Sequence, residues 1–176
     1  QMMVGAGFER VFEVAPAYRA ELHNTYRHLN EYISLDVEMG FIESYEDLME
    51  IEEEFLKHLF KHINEKCSFE LELLEITLKD LKPIPRIPLA KVHEILKDEF
   101  GKSSPPGNID GEGEVLISKW VKEKYDSDFV FLTKYPVPKR PMYAMPSKED
   151  ETLTDSFDLI YKGLEITTGG QRIHDY

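Results

Sequence analysis

Polar and apolar residues alternate most regularly between positions 31 and 39. The apolar positions are Ile33, Leu35, Val37 and Met39, and the positions between them are Tyr32, Ser34, Asp36 and Glu38. A period of two predicts a β-strand with one apolar and one polar face. Residues 9–14 form a second strand-like run, and the polar stretch 21–30 between the two runs predicts a long-looped hairpin. The polar face of the second strand is a candidate wall of a site.

Helical spacing replaces this alternation after residue 44. Ser44, with Asp47 three residues later, resembles a capping box. Apolar residues then recur at helical intervals up to about residue 66, at Leu48, Ile51, Phe55, Leu59 and Ile63. We expect this stripe to pack and the Glu53 and Lys57 pair to lie on a solvated outer face. Two more helices are predicted, at 89–100 and around 115–125. Prolines are expected to interrupt regular structure over 84–88, and a loop covers 102–113.

Strand-like segments return near the end of the chain, at 129–134, 142–145, 156–161 and 164–168. Strands therefore bracket a helical middle. For a chain of 176 residues, this order predicts an α+β fold, with an antiparallel β-sheet flanked by helices in one partial domain. Its sheet parts are expected at about 1–43 and 127–176, and its mainly helical part at 44–126.

The last two strands are joined at Lys162-Gly163, which predicts a two-residue turn. Such a turn sets three cross-strand pairs: Tyr161 with Leu164, Ile160 with Glu165, and Asp158 with Thr167. Asp158 and Glu165 then share a face at a separation of about 7 Å, which suits a shared hard cation such as Mg²⁺. The alternative is two solvent-facing acids on an ordinary hairpin, which the acidic composition favours for an isolated pair.

Charge restricts how the chain can meet a nucleic acid. Thirty-four acidic and twenty-one basic residues give a net charge of −13, so any contact with phosphates must be local. Cationic side chains gather in and beside the long hairpin loop, at Arg19, His23, Arg27 and His28. Arg19 can donate two hydrogen bonds to a phosphate, and Tyr32 offers a ring for stacking a base. The alternative is a surface loop with exposed charges.

The remaining features limit location and exclude other sites. Cys67 is the single cysteine, which rules out an internal disulfide. No secretory leader or membrane-length apolar run is present, so we expect a cytoplasmic protein without a membrane partner. The start at Gln1 and the stop at Tyr176 both look like cuts, so missing parts are expected.

Two short patterns resemble sites without meeting their requirements. Gly5 and Gly7 begin a dinucleotide-binding fingerprint, but Arg10 occupies the position of its third glycine. His58 and His62 stand one helical turn apart, yet no glutamate follows His58, so we expect a buried or boundary pair and no zinc site.

Two segments together carry a resemblance to a known family. Residues 12–21 read Phe-Glu-Val-Ala-Pro-Ala-Tyr-Arg-Ala-Glu, and they are followed by His-Asn-Thr at 23–25 and Arg-His-Leu-Asn-Glu-Tyr at 27–32. This stretch resembles motif 2 of the class II aminoacyl-tRNA synthetases. Residues 157–159 and 163–172, the latter reading Gly-Leu-Glu-Ile-Thr-Thr-Gly-Gly-Gln-Arg, resemble the substrate-binding segment of aspartyl members of archaeal type. The helical middle resembles in length and position the region between these motifs.

The resemblance implies a role for each matched residue. Arg19 would grip the α-phosphate of ATP and the reacting carboxylate of aspartate, as the catalytic residue. The other residues expected at ATP are Glu21, Arg27, His28, Leu29, Tyr32 and Glu165. Those expected at aspartate, besides Arg19, are Asp36, Thr168 and Arg172, and those expected at Mg²⁺ are Asp158, Glu165 and Thr168. Arg172 favours aspartate over asparagine, because a buried guanidinium needs an anionic partner.

The same resemblance implies the reaction and its partners. ATP-dependent formation of aspartyl-adenylate would be followed by transfer to tRNA(Asp), with tRNA(Asn) left open as a second acceptor. A homodimer is expected of the full-length enzyme. Motif 1, motif 3 and the anticodon-binding barrel would lie outside 1–176, so we expect this chain alone to lack full activity. The cationic loop and the acidic strand pair are expected to face each other across one cleft. Two alternatives remain: an asparagine synthetase built on the same fold, and a non-catalytic paralogue of the synthetases.

Overall fold

The computed structural model describes residues 1–22 and 28–174, which form two compact units, 1–43 and 44–176. The first unit contains a short helix α1 (Met2–Gly5) and two strands, β1 (Arg10–Tyr18) and β2 (Glu31–Met39). The strands pair antiparallel, from Arg10 opposite Met39 to Tyr18 opposite Glu31. The long-looped hairpin is therefore confirmed, and its first strand continues four residues beyond the predicted end. Pro16 is accommodated because β1 pairs on one side only within the described residues.

The described residues of the second unit contain four α-helices, α2 (Glu46–Lys66), α3 (Ser68–Leu73), α4 (Leu89–Phe100) and α5 (Gly111–Tyr125), and one short 3₁₀ helix (Val137–Lys139). The predicted capping interactions precede α2: the Ser44 amide donates to Asp47 Oδ2 at 3.2 Å, and the Glu46 amide donates to Ser44 Oγ at 3.1 Å. Helix α5 begins earlier than predicted because Asp110 caps it, accepting a hydrogen bond from the Gly113 amide at 2.8 Å.

The buried stripe of α2 differs from the predicted one. Met49, Glu53 and Leu56 are buried, whereas Phe55 is 45% exposed. Placing Glu53 on an outer face was wrong, because its carboxylate accepts a hydrogen bond from the Ile84 amide at 3.1 Å. Its Oε1 also meets Lys57 Nζ at 2.9 Å, so the expected ion pair with Lys57 is present. An unpaired buried amide costs free energy, and Glu53 supplies the acceptor that the Ile84 amide needs.

The second unit is built on a four-stranded sheet, with β3 (Arg86–Pro88), β4 (Phe129–Thr133), β5 (Ser156–Tyr161) and β6 (Leu164–Gly170) in spatial order. β3 runs parallel to β4, and the other pairs are antiparallel. The expectation that prolines exclude regular structure from 84–88 was wrong, since Pro85 still offers its carbonyl to the Phe131 amide at 2.9 Å. The predicted strand at 142–145 was also wrong: within residues 28–174, an isolated bridge joins Ala144 to Arg172 and no strand is formed there.

Helices cover both faces of this sheet. Val130, Leu132 and Ile160 pack with α4 and α5 in one core. The alternate residues of the same strands pack with α2 in a second core that includes Phe129, Phe131, Phe157 and Leu159. The α+β class, with helices flanking a mainly antiparallel sheet, is confirmed. Because Asp158 is two residues from Ile160, it points to the α4 and α5 side.

None of the helices in the described ranges is both long enough and apolar enough to cross a membrane.

Candidate active site

The hairpin between β5 and β6 positions three of the predicted site residues. Lys162 and Gly163 have φ angles of 50° and 85°, as a type I′ turn requires. Ile160 lies opposite Glu165 as predicted, but a bulge follows, so Asp158 lies opposite Thr168. The expected pairing of Asp158 with Thr167 was therefore wrong. The extra residue brings Glu165 and Thr168 to one face, which a regular strand could not do at this spacing.

Asp158 is buried, with 5% of its surface exposed. The alternative of two solvent-facing acids is therefore wrong for Asp158, although Glu165 is exposed. A buried carboxylate requires a cation or hydrogen-bond donors. Arg140 supplies the cation: its Nη2 lies 2.7 Å from Asp158 Oδ1.

Arg140 connects Asp158 to its cross-strand neighbour. Its Nη1 donates to Thr168 Oγ1 at 3.0 Å, and its guanidinium carbon lies 3.7 Å from the centre of the Tyr135 ring. The side chain of Arg140 is 13% exposed. Despite the short distance, Arg140 Nη2 and Asp158 Oδ1 are not aligned as a hydrogen bond, and Arg140 Nε also lacks a partner in the described part of the chain.

Tyr135 completes this cluster at the end of β4. Its burial, the charge on Asp158 and a side-chain hydrogen bond with Asp158 raise the pKa of Tyr135 far above its ordinary value, against the opposing charge of Arg140. The charge on Glu165 contributes in the same direction, so both carboxylates lie near the tyrosine. Tyr135 therefore stays protonated and remains a donor at any physiological pH.

Sequence reasoning missed both Arg140 and Tyr135. The available signal was Asp158 itself, which lies among Phe157, Leu159 and Ile160. An acid in an apolar strand predicts a nearby cation. Nothing in the sequence identified which of the arginines and lysines would fill this role, because Arg140 lies 18 positions away across the segment that links β4 to β5.

The oxygen donors near Arg140 have the chemistry of a magnesium site. Asp158 and Glu165 offer carboxylates and Thr168 a hydroxyl, which are hard ligands of the type Mg²⁺ prefers. Among the described residues, Asp158 Oδ1 is buried without a hydrogen bond, although Arg140 Nη2 lies 2.7 Å away. These residues fit a divalent cation in donor type, but Arg140 contacts two of the three. The described residues contain no group of three or more histidine, cysteine, aspartate or glutamate side chains arranged around a metal.

Arg172 follows β6 and is held by the segment that was predicted to be a strand. Its guanidinium carbon lies 4.6 Å from the centre of the Tyr143 ring. The Ile173 amide donates to the Tyr143 carbonyl at 2.8 Å. Counting in twos from Thr168 places Arg172 on the face of Asp158. The stacked ring orients an exposed guanidinium beside that face.

The first unit positions Arg19 and Tyr32 at one end of its hairpin. The Arg19 amide donates to the Asn30 carbonyl at 2.9 Å, which extends the ladder by one residue. The Arg19 guanidinium carbon lies 5.8 Å from the centre of the Tyr32 ring, within range of a cation–π contact. Both groups therefore face the same side of the hairpin.

The other candidates of this unit follow the predicted faces. Asp36 shares the polar face with Tyr32 and accepts a hydrogen bond from Ser34 Oγ at 2.9 Å. Glu21 and His28 are half-buried, and Leu29 is exposed. Arg27 and His23 lie outside the described residues. The facing of Arg19, in the first unit, and Glu165, in the second, across one cleft stays a prediction.

The two histidines of α2 do not form a buried pair. His58 and His62 are exposed and stack with their ring centres 6.2 Å apart. The expectation of a buried or boundary pair was wrong, because the buried side of α2 runs through Met49, Glu53 and Leu56.

Comparison with known proteins matches these features to a family. The family model of class II tRNA synthetases (D, K and N) matches residues 1–176. The chain belongs to the class II tRNA synthetases. The correspondence of residues 12–32 to motif 2 of that family stays a prediction.

Curated relatives of this synthetase chain share up to about half of its residues. It is 49% identical to the aspartate–tRNA(Asp/Asn) ligase of Aeropyrum pernix, over 100% of the chain and 40% of that protein. It is 44% identical to the aspartate–tRNA(Asp) ligase of Pyrococcus horikoshii, over 99% of the chain and 40% of that protein. The chain thus spans about 40% of the length of the curated relatives it matches.

Solved structures of synthetases share its fold. An aspartyl-tRNA synthetase from Entamoeba histolytica matches with a TM-score of 0.92 and 35% identity, over 99% of this chain and 37% of that one. An asparaginyl-tRNA synthetase from Pyrococcus horikoshii, complexed with asparaginyl-adenylate, matches with a TM-score of 0.87 and 25% identity, over 98% of this chain and 40% of that one. The fold is thus shared by relatives named for two different amino acids.

Proposed function

We propose that this chain is the central part of the catalytic domain of an aspartate–tRNA ligase. The proposed enzyme uses ATP to activate L-aspartate and transfers the aspartyl group to tRNA(Asp). The observation that carries the proposal is the whole-chain match to a curated relative named as an aspartate–tRNA ligase at 49% identity. Arg172 supports aspartate as the substrate, because Tyr143 holds its guanidinium where it can pair with a carboxylate.

The proposed reaction begins with attack of the aspartate α-carboxylate on the α-phosphorus of ATP. A bond forms between the carboxylate oxygen and phosphorus, and pyrophosphate leaves with the bonding electrons. The reactants carry like charges, so the protein must hold them together and offset charge at the phosphorus. Arg19 is the proposed donor to the α-phosphate, and its contact with Tyr32 pre-orients the guanidinium. The ring of Tyr32 is also the proposed surface for adenine.

The remaining site residues divide between the nucleotide and the amino acid. Glu21, Arg27, His28 and Leu29 are proposed to line ATP, and Asp36 to bind the aspartate ammonium. Asp158, Glu165 and Thr168 would hold Mg²⁺, which, when bound, offsets negative charge on the phosphates. Thr168 and Arg172 are also proposed to contact the bound aspartate. Facing of the two units across one cleft is part of this proposal.

Three further expectations belong to the same proposal. Acceptance of tRNA(Asn) is supported by the Aeropyrum pernix relative, which is named for both tRNAs. Aminoacylation assays with each tRNA transcript test it. A homodimer and a cytoplasmic location are also proposed, and light scattering and cell fractionation test them.

Arg19→Ala tests the proposed chemistry in an enzyme of the relatives' full length that carries this chain. We expect aspartate-dependent ATP–pyrophosphate exchange to fall by about 10²–10³-fold, as loss of one charge-stabilising donor does elsewhere. Arg10→Ala is the matched control, because Arg10 is an exposed arginine at the opposite end of β1. Near-normal exchange by Arg19→Ala would refute the role of Arg19. Exchange that falls equally in both variants would do the same.

A further inference from the structure

Arg140 contacts the side chains of two of the three residues that are proposed to hold the divalent cation. Its Nη2 lies 2.7 Å from Asp158 Oδ1, and its Nη1 donates to Thr168 Oγ1 at 3.0 Å. Both ligand atoms therefore already face a positive charge. The guanidinium stands where a cation bridging Asp158 and Thr168 would have to approach.

Arg140 and Asp158 are close enough for strong charge attraction, but their facing atoms are not aligned for a hydrogen bond. Arg140 Nε, Arg140 Nη2 and Asp158 Oδ1 are all buried without a hydrogen bond in the described part of the chain. A buried ion pair gains from mutual attraction only when its hydrogen bonds are also satisfied. Arg140 thus neutralises the charge of Asp158 but leaves Asp158 Oδ1 without a hydrogen-bond donor.

Mg²⁺ would require a different geometry at Asp158 Oδ1. Mg²⁺ binds carboxylates at about 2.0–2.1 Å in near-octahedral geometry. A divalent ion at that distance from Asp158 Oδ1 would also lie within a few ångströms of the Arg140 guanidinium, and like charges that close repel strongly in a buried site. Metal coordination by Asp158 Oδ1 therefore competes with the present contact between that oxygen and Arg140.

The Tyr135 ring can hold the Arg140 guanidinium by stacking when the contact with Asp158 is broken. The guanidinium carbon lies 3.7 Å from the ring centre, and stacking holds the plane of the group while its in-plane nitrogens change partners. Tyr135 is 3% exposed and belongs to the core cluster under α4 and α5, which fixes the ring. The ring therefore keeps its position whether or not Arg140 contacts Asp158.

We propose that Arg140 is a positioning residue that competes with the divalent cation for Asp158 and Thr168, and so sets the metal affinity of this site. The proposal rests on the proposed function for the assignment of Asp158 and Thr168 as ligands. Without metal, Arg140 neutralises Asp158 and preserves the local fold. With metal, Arg140 releases Asp158 and stays on the Tyr135 ring.

Manganese binding measures this competition directly. Mn²⁺ is titrated into the full-length enzyme without ATP, aspartate or tRNA, and free Mn²⁺ is followed by electron paramagnetic resonance. Sites that survive in Asp158→Asn are subtracted. We expect Arg140→Gln to bind Mn²⁺ on the order of tenfold more tightly than the parent, because a competing unit charge is gone. Arg140→Lys keeps the charge and should stay within about threefold of the parent.

Lys134→Gln is the matched control for loss of a partly buried cation. Lys134 Nζ pairs with Asp155 Oδ1 at 2.7 Å, and both side chains are largely buried. Lys134 also stacks on Tyr45, which belongs to the α2 core, so it lies on the other side of the sheet. Its Mn²⁺ affinity should equal that of the parent. Unchanged or weaker binding by Arg140→Gln overturns the proposal, as does an equal gain in Lys134→Gln.

A second measurement uses the unaltered enzyme and does not depend on the variants folding. Phenylglyoxal modifies accessible arginines, and peptide mass spectrometry reports the extent at Arg140. We expect Mn²⁺ to increase modification of Arg140 several-fold and to leave Arg86, which pairs with Glu46, unchanged. Constant or reduced modification of Arg140 at saturating Mn²⁺ overturns the proposal. Neither measurement requires turnover, so failure here is separate from failure of the Arg19 exchange assay.

Discussion

The turn that sets the register of β5 and β6 provides a stringent test of the fold. Gly163 has a φ of +85°, and a Cβ added there would lie 2.8 Å from Val115 Cγ2 and 3.0 Å from Val115 Cα. Its amide also donates to Ser118 Oγ at 2.9 Å. Gly163→Ala therefore combines backbone strain with a collision against α5, and one of the colliding atoms belongs to the backbone of that helix.

The expected cost follows from these two contributions. A side chain in the left-handed region costs about 1–2 kcal/mol, and overpacking costs about 1–3 kcal/mol. Together they predict a loss of about 2–5 kcal/mol for Gly163→Ala. Gly101→Ala separates the contributions, because Gly101 has a φ of +64° at the end of α4 but nothing within 4 Å of the added Cβ. It should lose only the strain, about 1–2 kcal/mol.

Urea unfolding followed by the fluorescence of Trp120, the only tryptophan of the chain, measures both losses in the unit that contains the turn. The midpoint should fall in both variants with an unchanged m-value, and further in Gly163→Ala. Val115→Ala combined with Gly163→Ala should recover part of the difference, since it removes Cγ2 but leaves the contact with Cα. Equal losses for Gly163→Ala and Gly101→Ala would refute the packing of the turn on α5.

Two other predictions concern the strand pair and the helix that covers it. Gly169→Ala should destabilise the chain by about 1–3 kcal/mol in the same urea assay, because its Cβ would lie 2.5 Å from Cζ of the buried Phe157 ring; an unchanged midpoint would show that the ring can move aside. Burial raises the pKa of Glu52, against a hydrogen bond from Thr167 that lowers it. The folded chain thus holds a proton that the unfolded chain releases, so this stability is present below the ordinary carboxyl pKa and falls as pH rises through the raised value. Glu52→Gln should reduce that fall in urea titrations run upward from the ordinary carboxyl pKa of about 4.3, whereas parallel profiles for the two proteins would contradict it.

Local patterns predicted the elements of this fold better than their contacts. The second strand of the hairpin, α4 and β5 occupy the predicted ranges because alternation and helical spacing are properties of neighbouring residues. Segment 84–88 could not be assigned in this way. It becomes β3 only because β4, more than 40 residues later, supplies a parallel partner. Segment 142–145 failed for the opposite reason, since its apolar residues have no neighbouring strand beyond one bridge at Ala144.

The candidate site shows the same division. The turn residues Lys162 and Gly163 predicted the correct register for the first two pairs, but a bulge is decided by packing and has no reliable signal in a single sequence. Asp158 was recognised as important and assigned the wrong neighbour. Arg140 was not recognised at all, because its role depends on a contact between two strands and the segment linking them. Sequence reasoning thus identifies carboxylates that need a partner, and the fold selects the partner.

Because of the bulge in β6, the number of residues after Glu165 determines the face of the sheet on which each later side chain lies. Thr168 and Arg172 face the same way as Glu165 only because one surplus residue is inserted after Glu165. Deleting one residue between 168 and 171 would rotate Arg172 to the face occupied by α2, while removing two would keep its orientation and shorten its reach. Deleting the surplus Ile166 would instead restore regular pairing and leave Arg172 on its present face. Length variation after Thr168 should therefore occur in pairs, since a single-residue change there would exchange Arg172 for Gln171 or Ile173 at the site, whereas loss of the bulge residue would be tolerated.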